Sequence, residues 1–115
     1  MKAIATVIDA EAVQLACQEA QLEARMAARD FFEKHGDHDA CGFAWVEIFG
    51  VKGNTKLGKA LAACGIKKSY SGGLQMWNPS KMMVQNVDTL EAGADAAAAV
   101  FKSYGFKAYA GSRLD

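Results

Sequence analysis

Residues 41–49, CGFAWVEIF, are the stretch on which the fold turns. Aromatic, β-branched and other apolar side chains fill nearly every position, as in a strand buried on both faces or nearly so. Gly50-Val51-Lys52-Gly53-Asn54 breaks that strand. Residues 55–64 then read as a short helix, capped by Asn54 or Thr55 and stopped by Gly65. Residues 74–77 and 82–85 flank Asn78-Pro79-Ser80-Lys81, a strong turn signal, which predicts a β-hairpin. Asp88-Thr89-Leu90-Glu91 is a capping box opening a helix to Tyr104, with Leu90, Ala94, Ala97, Phe101 and Tyr104 on its core face and Gly105 as its stop. Residues 107–111 close the chain as a last strand. From residue 41 the order is β-α-β-β-α-β, the split pattern of ferredoxin-like domains, with two helices on one face of a four-stranded antiparallel sheet. A three-stranded α/β sandwich is the alternative if the 74–85 hairpin fails to form.

Working outward to the N-terminus, residues 9–35 read as one long helix. Asp9 is a good N-cap, Glu11 suits the positive end of the helix dipole, and Gly36 follows the last turn. Val13, Ala16, Cys17, Ala20, Ala24, Ala27 and Phe31 recur at three- and four-residue steps and mark a mostly alanine face, so whatever packs on it comes close. Leu15, Leu22 and Met26 form a second apolar strip. At 1.5 Å per residue the helix spans roughly 40 Å, longer than a small sheet needs, which points to a partner subunit. The class is therefore α+β: a long N-terminal helix (9–35) added to an α+β core (41–115), in a single domain of residues 1–115.

The bulk numbers agree. A chain of 115 residues, 51% apolar and with one proline, is large enough for a core and poor in disorder signals. No apolar run approaches the roughly 18–20 residues of a membrane span, and the N-terminus makes a poor signal peptide. Cys17, Cys41 and Cys64 are an odd number at wide spacing, read as free thiols in a reducing cytoplasm.

Zero net charge hides a segregation. Residues 9–39 carry eight acids against three bases, whereas residues 51–73 carry Lys52, Lys56, Lys59, Lys67 and Lys68 and no acid. The blocks can pair internally, drive head-to-tail dimerisation, or leave the lysines to an anion. Within the basic block, Gly53-Asn54-Thr55-Lys56-Leu57-Gly58-Lys59-Ala60 is one residue from the phosphate loop G-x-x-x-x-G-K-S/T. Strand, glycine loop and helix follow in the right order. Ala60, however, stands where the metal-binding hydroxyl should be, and Leu57, Ala60, Leu61 and Cys64 already fit a helix from Thr55. Nucleotide hydrolysis is thus disfavoured, and a looser anion site remains at the helix start, Asn54–Lys56.

Three further constellations carry chemistry. Tyr70 and Trp77, beside Lys67 and Lys68, supply planes for bases and charge for phosphates if they lie on an open sheet face. Trp45 and Trp77, however, are more often core residues than platforms. His35, His38 and Cys41 are a weak metal set, for which a helix C-terminus favouring histidine is the competing reading. Cys41 with His38 is a conceivable nucleophile–base pair without an orienting third group, so catalysis is not the expectation and no cofactor is implied. Arg113, a fork donor just past the last strand, is a second anion contact or a partner for Asp115 or the acidic helix.

From residue 41 onward the chain resembles a family of small uncharacterised proteins of tailed bacteriophages. The likeness is carried by Cys-Gly-Phe-Ala-Trp (41–45), Thr-Lys-Leu-Gly-Lys-Ala-Leu (55–61), Tyr-Ser-Gly-Gly (70–73) with Trp77-Asn78-Pro79, and Ala-Tyr-Ala-Gly-Ser-Arg-Leu-Asp (108–115). It implies an origin and, with it, a place in the host cytoplasm, but no assigned activity. The functional expectation is a homodimeric accessory protein that binds an anionic ligand, a nucleotide or single-stranded nucleic acid, without catalysis. Lys52, Lys56, Lys59, Lys67 and Lys68 supply charge, Asn54 and Thr55 the helix start, Tyr70 and Trp77 the stacking, with Arg113 assisting. The alternative is a protein–protein inhibitor or assembly factor that meets a host protein through the long acidic helix and its strip of Leu15, Leu22 and Met26.

Overall fold

The computed structural model describes residues 10–36, 40–68, 73–82, 84 and 86–114. Its elements are α1 (Ala10–His35), β1 (Gly42–Phe49), α2 (Lys56–Ala63), β2 (Lys67–Lys68), β3 (Leu74–Trp77), α3 (Val87–Ser103) and β4 (Lys107–Leu114). The chain is α+β. Its four strands form one sheet in the order β2-β3-β1-β4, and every neighbouring pair is antiparallel.

β1 is paired along both edges, to β4 over its whole length and to β3 over residues 45–48. Its burial alternates strictly, which corrects the expectation of a strand buried on both faces. Ala44, Val46 and Ile48 are fully buried beside Leu74, Met76 and Ala108, in one apolar cluster with residues of all three helices. Phe43, Trp45, Glu47 and Phe49 point to the other face and are only half-buried, the aromatics covering one another rather than meeting a further layer.

Among the described residues the hairpin expected from residues 74–77 and 82–85 does not form, since Met82 and Val84 are not in a strand. Asn78 N–H still donates to Ala44 O (3.0 Å), so the chain follows β1 to its end before turning at Asn78–Lys81. Met82 and Val84 then pack on the core as irregular chain; Met83 and Gln85 lie outside the described residues. β3's other neighbour is Lys67–Lys68, a strand for which the sequence carries no signal. Two exposed lysines have no apolar alternation to betray a strand.

α1 lies against α2 and α3. Its contact face is built of Val13, Ala16, Cys17, Ala20, Ala24 and Ala28, with Ala28 in place of the expected Ala27 and Phe31 only half-buried. Gly93, Ala94, Ala97 and Ala98 of α3 answer it, and a Cβ on Gly93 would stand 3.1 Å from Ala24 O. Small residues on both sides let the two helix backbones come close. Twenty-six residues at 1.5 Å give α1 about 39 Å, against roughly 26 Å for the eight-residue strands, so its end overhangs the sheet. The expected cap Asp9 lies outside the described residues.

The caps differ in one place from expectation. α2 is capped by Thr55, whose hydroxyl accepts from Gly58 N–H (3.0 Å). α3 is capped by Asn86 rather than by Asp88. Asn86 Oδ1 accepts from Asp88 and Thr89 N–H while its amide donates to Gly36 O (3.0 Å). Cys41 forms a bridge to Asn86 and Val87 N–H donates to Ala40 O. One buried asparagine thus joins the end of α1, the approach to β1 and the start of α3. Among the described residues no helix is long and apolar enough to cross a membrane.

Candidate functional site: the open sheet face

With the helices on one side, the other side of the sheet is uncovered among the described residues, and strand register says what it carries. Across one row stand Phe43 and Arg113; across the next, Trp77, Trp45 and Gly111. A third row runs Lys67, Gln75, Glu47 and Tyr109, and a fourth pairs Phe49 with Lys107. Alternate residues on a strand are about 6.6 Å apart, so the four rows cover roughly 20 Å.

Among the described residues five aromatic rings occupy this face. The indoles of Trp45 and Trp77 are parallel within 4°, their centroids 5.6 Å apart. Phe43 leans on Trp77 at 5.5 Å and Phe49 on Tyr109 at 5.9 Å. Trp77 remains 46% exposed and Tyr109 52%, so aromatic surface is left to solvent. Trp45 owes its posture to Gly111, directly opposite on β4: a Cβ there would come within 2.7 Å of the indole Nε1 and Cε2. Cations border the rings. The Arg113 guanidinium lies 5.3 Å from the Phe43 centroid and Lys102 Nζ 5.3 Å from that of Tyr109, both within cation–π reach. Glu47, between Gln75 and Tyr109, is the acid among the described positions of the face.

The residues expected to form one anion site fall into two groups. Lys67, Trp77 and Arg113 belong to the open face. Lys52, Asn54, Thr55, Lys56 and Lys59 lie beyond the opposite end of β1 from Arg113 and Trp77, all exposed. The start of α2 is largely committed to its own chain. Thr55 N–H and hydroxyl both donate to Lys52 O, Gly58 N–H goes to Thr55 Oγ1, and Lys59 N–H to Thr55 O. Gly58 is explained by that packing, since a Cβ would meet Lys52 O at 2.1 Å. The resemblance to a phosphate loop is therefore a tight turn closing on a helix, and the N–H donors of Thr55 and Gly58 are not offered to an anion. Lys68 is exposed at the β2 edge, out of register with the aromatic face.

Tyr70 and His38 lie outside the described residues. Of the other metal candidates, His35 packs on Phe31 with ring centroids 4.3 Å apart, and Cys41 is exposed beside the Asn86 bridge. Among the described residues no group of three His, Cys, Asp or Glu side chains is placed to hold a metal ion. Phe43, Phe49, Tyr109 and Lys107 were not singled out from sequence. The signal was there in the alternation of residues 42–49 and 107–114, which places every second residue on one face. Compared with protein-family models, with curated proteins and with solved structures, the chain matches none.

Proposed function

We propose that this is a single-strand nucleic-acid-binding protein of ferredoxin-like architecture, phage-encoded and working without catalysis in the host cytoplasm. The sheet order β2-β3-β1-β4 with antiparallel neighbours supports the architecture, α1 being an addition and β2 a much shortened strand. The observation that carries the function is the parallel, solvent-facing Trp45–Trp77 pair bordered by Arg113 and Lys67. Sheet platforms of this kind stack two or three bases on aromatic rings while cations meet the backbone. Trp77 and Phe43 take the bases, Arg113 and Lys67 the phosphates. Lys52, Lys56 and Lys59 act at longer range, through the field that attracts the strand.

The test is fluorescence anisotropy with a fluorescein-labelled dodecathymidylate. Stacking of one base is worth about 1–3 kcal/mol, so Trp77→Ala should weaken binding by roughly 5- to 150-fold. Binding should also fall with salt, and Arg113→Glu should flatten that dependence. Equal affinity of Trp77→Ala and parent would sink the reading.

A second reading concerns α1. Leu15, Leu22 and Met26 are 54%, 58% and 56% exposed along one strip, an apolar surface that supports self-association or capture of a host protein. Light scattering on the parent and on Leu15→Glu/Leu22→Glu tests it: a mass unchanged by the substitutions removes the self-association version.

A further inference from the structure

The β2 edge of the sheet contains a notch. β2 supplies only Lys67 and Lys68, opposite Gln75 and Leu74, whereas β3 runs on to Trp77. Where β2 gives out, a half-open cavity of about 360 Å³ remains. Among the described residues its lining includes Lys67, Lys68, Lys81, Gln21, Gln75 and Trp77, and no carboxylate. That volume lies at the small end of the roughly 300–1,000 Å³ of ligand pockets.

Two features make this more than a patch of surface lysines. The lining draws three lysines from two places in the chain, β2 and the turn after β3, so the cavity is bordered by positively charged residues, a setting that favours an anion. The backbone of Lys81 is also fixed in a costly way. Its φ is +60°, a left-handed conformation that residues with a Cβ avoid. The turn holds it there: Lys81 N–H donates to Asn78 O (3.0 Å), Asn78 Nδ2 to Met82 O (3.2 Å), and Ser80 Oγ to Asn78 Oδ1 (3.2 Å). The same turn carries Trp77 into both the cavity lining and the aromatic face.

We infer that this cavity holds the phosphomonoester of a nucleotide whose base stacks on Trp77. The base half of the inference rests on the open-face reading; the phosphate half rests on the lysines and Gln21. A terminal phosphate carries up to two charges and three acceptor oxygens, which suits lysines converging from two elements better than an internal diester does. The ligand is a nucleoside monophosphate unit, either free or as the phosphorylated end of a strand.

Tryptophan fluorescence titrations separate the possibilities. Decathymidylate is compared with a 5′-phosphate, with a 3′-phosphate and with neither, and thymidine 5′-monophosphate is compared with thymidine. Each is run on the parent, on Lys68→Gln/Lys81→Gln, and on Lys68→Arg/Lys81→Arg as the charge-keeping control. One phosphorylated strand should bind about tenfold tighter than the hydroxyl-ended one. That ratio should fall to near one in the glutamine variant and return in the arginine variant. Thymidine 5′-monophosphate should bind in parallel, and thymidine should not. If no strand binds at all while the monophosphate still binds through the lysines, the platform reading fails and the cavity stands as a free-nucleotide site. A ratio near one in the parent, with monophosphate and thymidine indistinguishable, overturns the inference.

Discussion

Replacing Gly111 with alanine tests whether the aromatic face is held in place by the strand beneath it. Gly111 lies opposite Trp45 and is not among the glycines with positive φ, so its backbone accepts alanine without strain. On conformational grounds alone the change should stabilise a strand by about 0.5–1 kcal/mol. The new methyl, however, would lie 2.7 Å from Nε1 and Cε2 of the indole and 2.9 Å from Cζ2, where carbon contacts prefer 3.5–4.0 Å. The ring must therefore lift by about 1 Å. Overpacking of this size costs about 1–3 kcal/mol, and the lower end applies because Trp45 is only half-buried and can tilt outward. Set against that conformational gain, the expected net loss is at most about 0.5 kcal/mol, or up to roughly 2–3 °C in melting temperature for a domain of this size. Tilting also spoils the 4° parallel stack with Trp77. Strand affinity should then drop several-fold. Urea denaturation and anisotropy measure the two effects. The decisive control repeats the substitution in a Trp45→Ala background, where the clash is gone and Gly111→Ala should now stabilise. Loss of stability of the same size in both backgrounds would refute the reasoning.

Asn86→Ala removes a cap and leaves half-buried Gly36 O without this donor, so it should cost about 2 kcal/mol in urea denaturation, and Asn86→Asp should be no milder, because it keeps the cap but sets a buried carboxylate oxygen against the Gly36 carbonyl. Thr89 Oγ1 is buried without a hydrogen-bond partner, and Thr89→Val should match or exceed the parent in stability by up to about 1 kcal/mol. Iodoacetamide at pH 8 should label exposed Cys41 first and Cys17 last, because burial, and then the hydrogen bond and charge of Cys64, push the Cys17 thiol far up; comparable native-state rates for the two would contradict this. Desolvation, followed by the neighbouring Glu91 charge, raises the Asp95 carboxyl above its ordinary 3.8. Its protonated form is therefore favoured in the fold, and stability from this group is present below pH 3.8 and lost as pH rises through the raised value. Asp95→Asn should stabilise at pH 7, by no more than about 0.5 kcal/mol at so exposed a site, and the gain should vanish at pH 3.

How far the sequence could be read depended on whether a feature was local. The long helix, its alanine face and the exposed Leu15–Leu22–Met26 strip follow from periodicity, and the structure has them. β1, β3 and β4 were legible as apolar runs. β2 was not, because two lysines form a strand only by virtue of what β3 offers them. The Asn78–Lys81 turn was recognised, but its purpose was mistaken: it leaves the sheet instead of reversing along it. Asn86 escaped notice because one of its three side-chain bonds reaches 50 residues back to Gly36, beyond any local motif. For the candidate site, Lys67, Trp77 and Arg113 were found by residue type. Joining them to Phe43, Trp45 and Tyr109 required the pairing of β1 with two neighbours, which is information about register rather than composition.

The Asn86–Gly36 bond has a consequence for the order in which the molecule is made. α1 leaves the ribosome early, yet its partner helix α3 and the asparagine that anchors its end follow 50 residues later. At 5–20 residues per second that is a wait of roughly 3–10 s with the packing face of α1 bare. A leucine-rich face would spend that interval seeking other chains. An alanine face offers little apolar area to a stranger and buries well only against a matching helix, so the composition that permits tight packing in the finished protein also keeps the nascent one out of trouble.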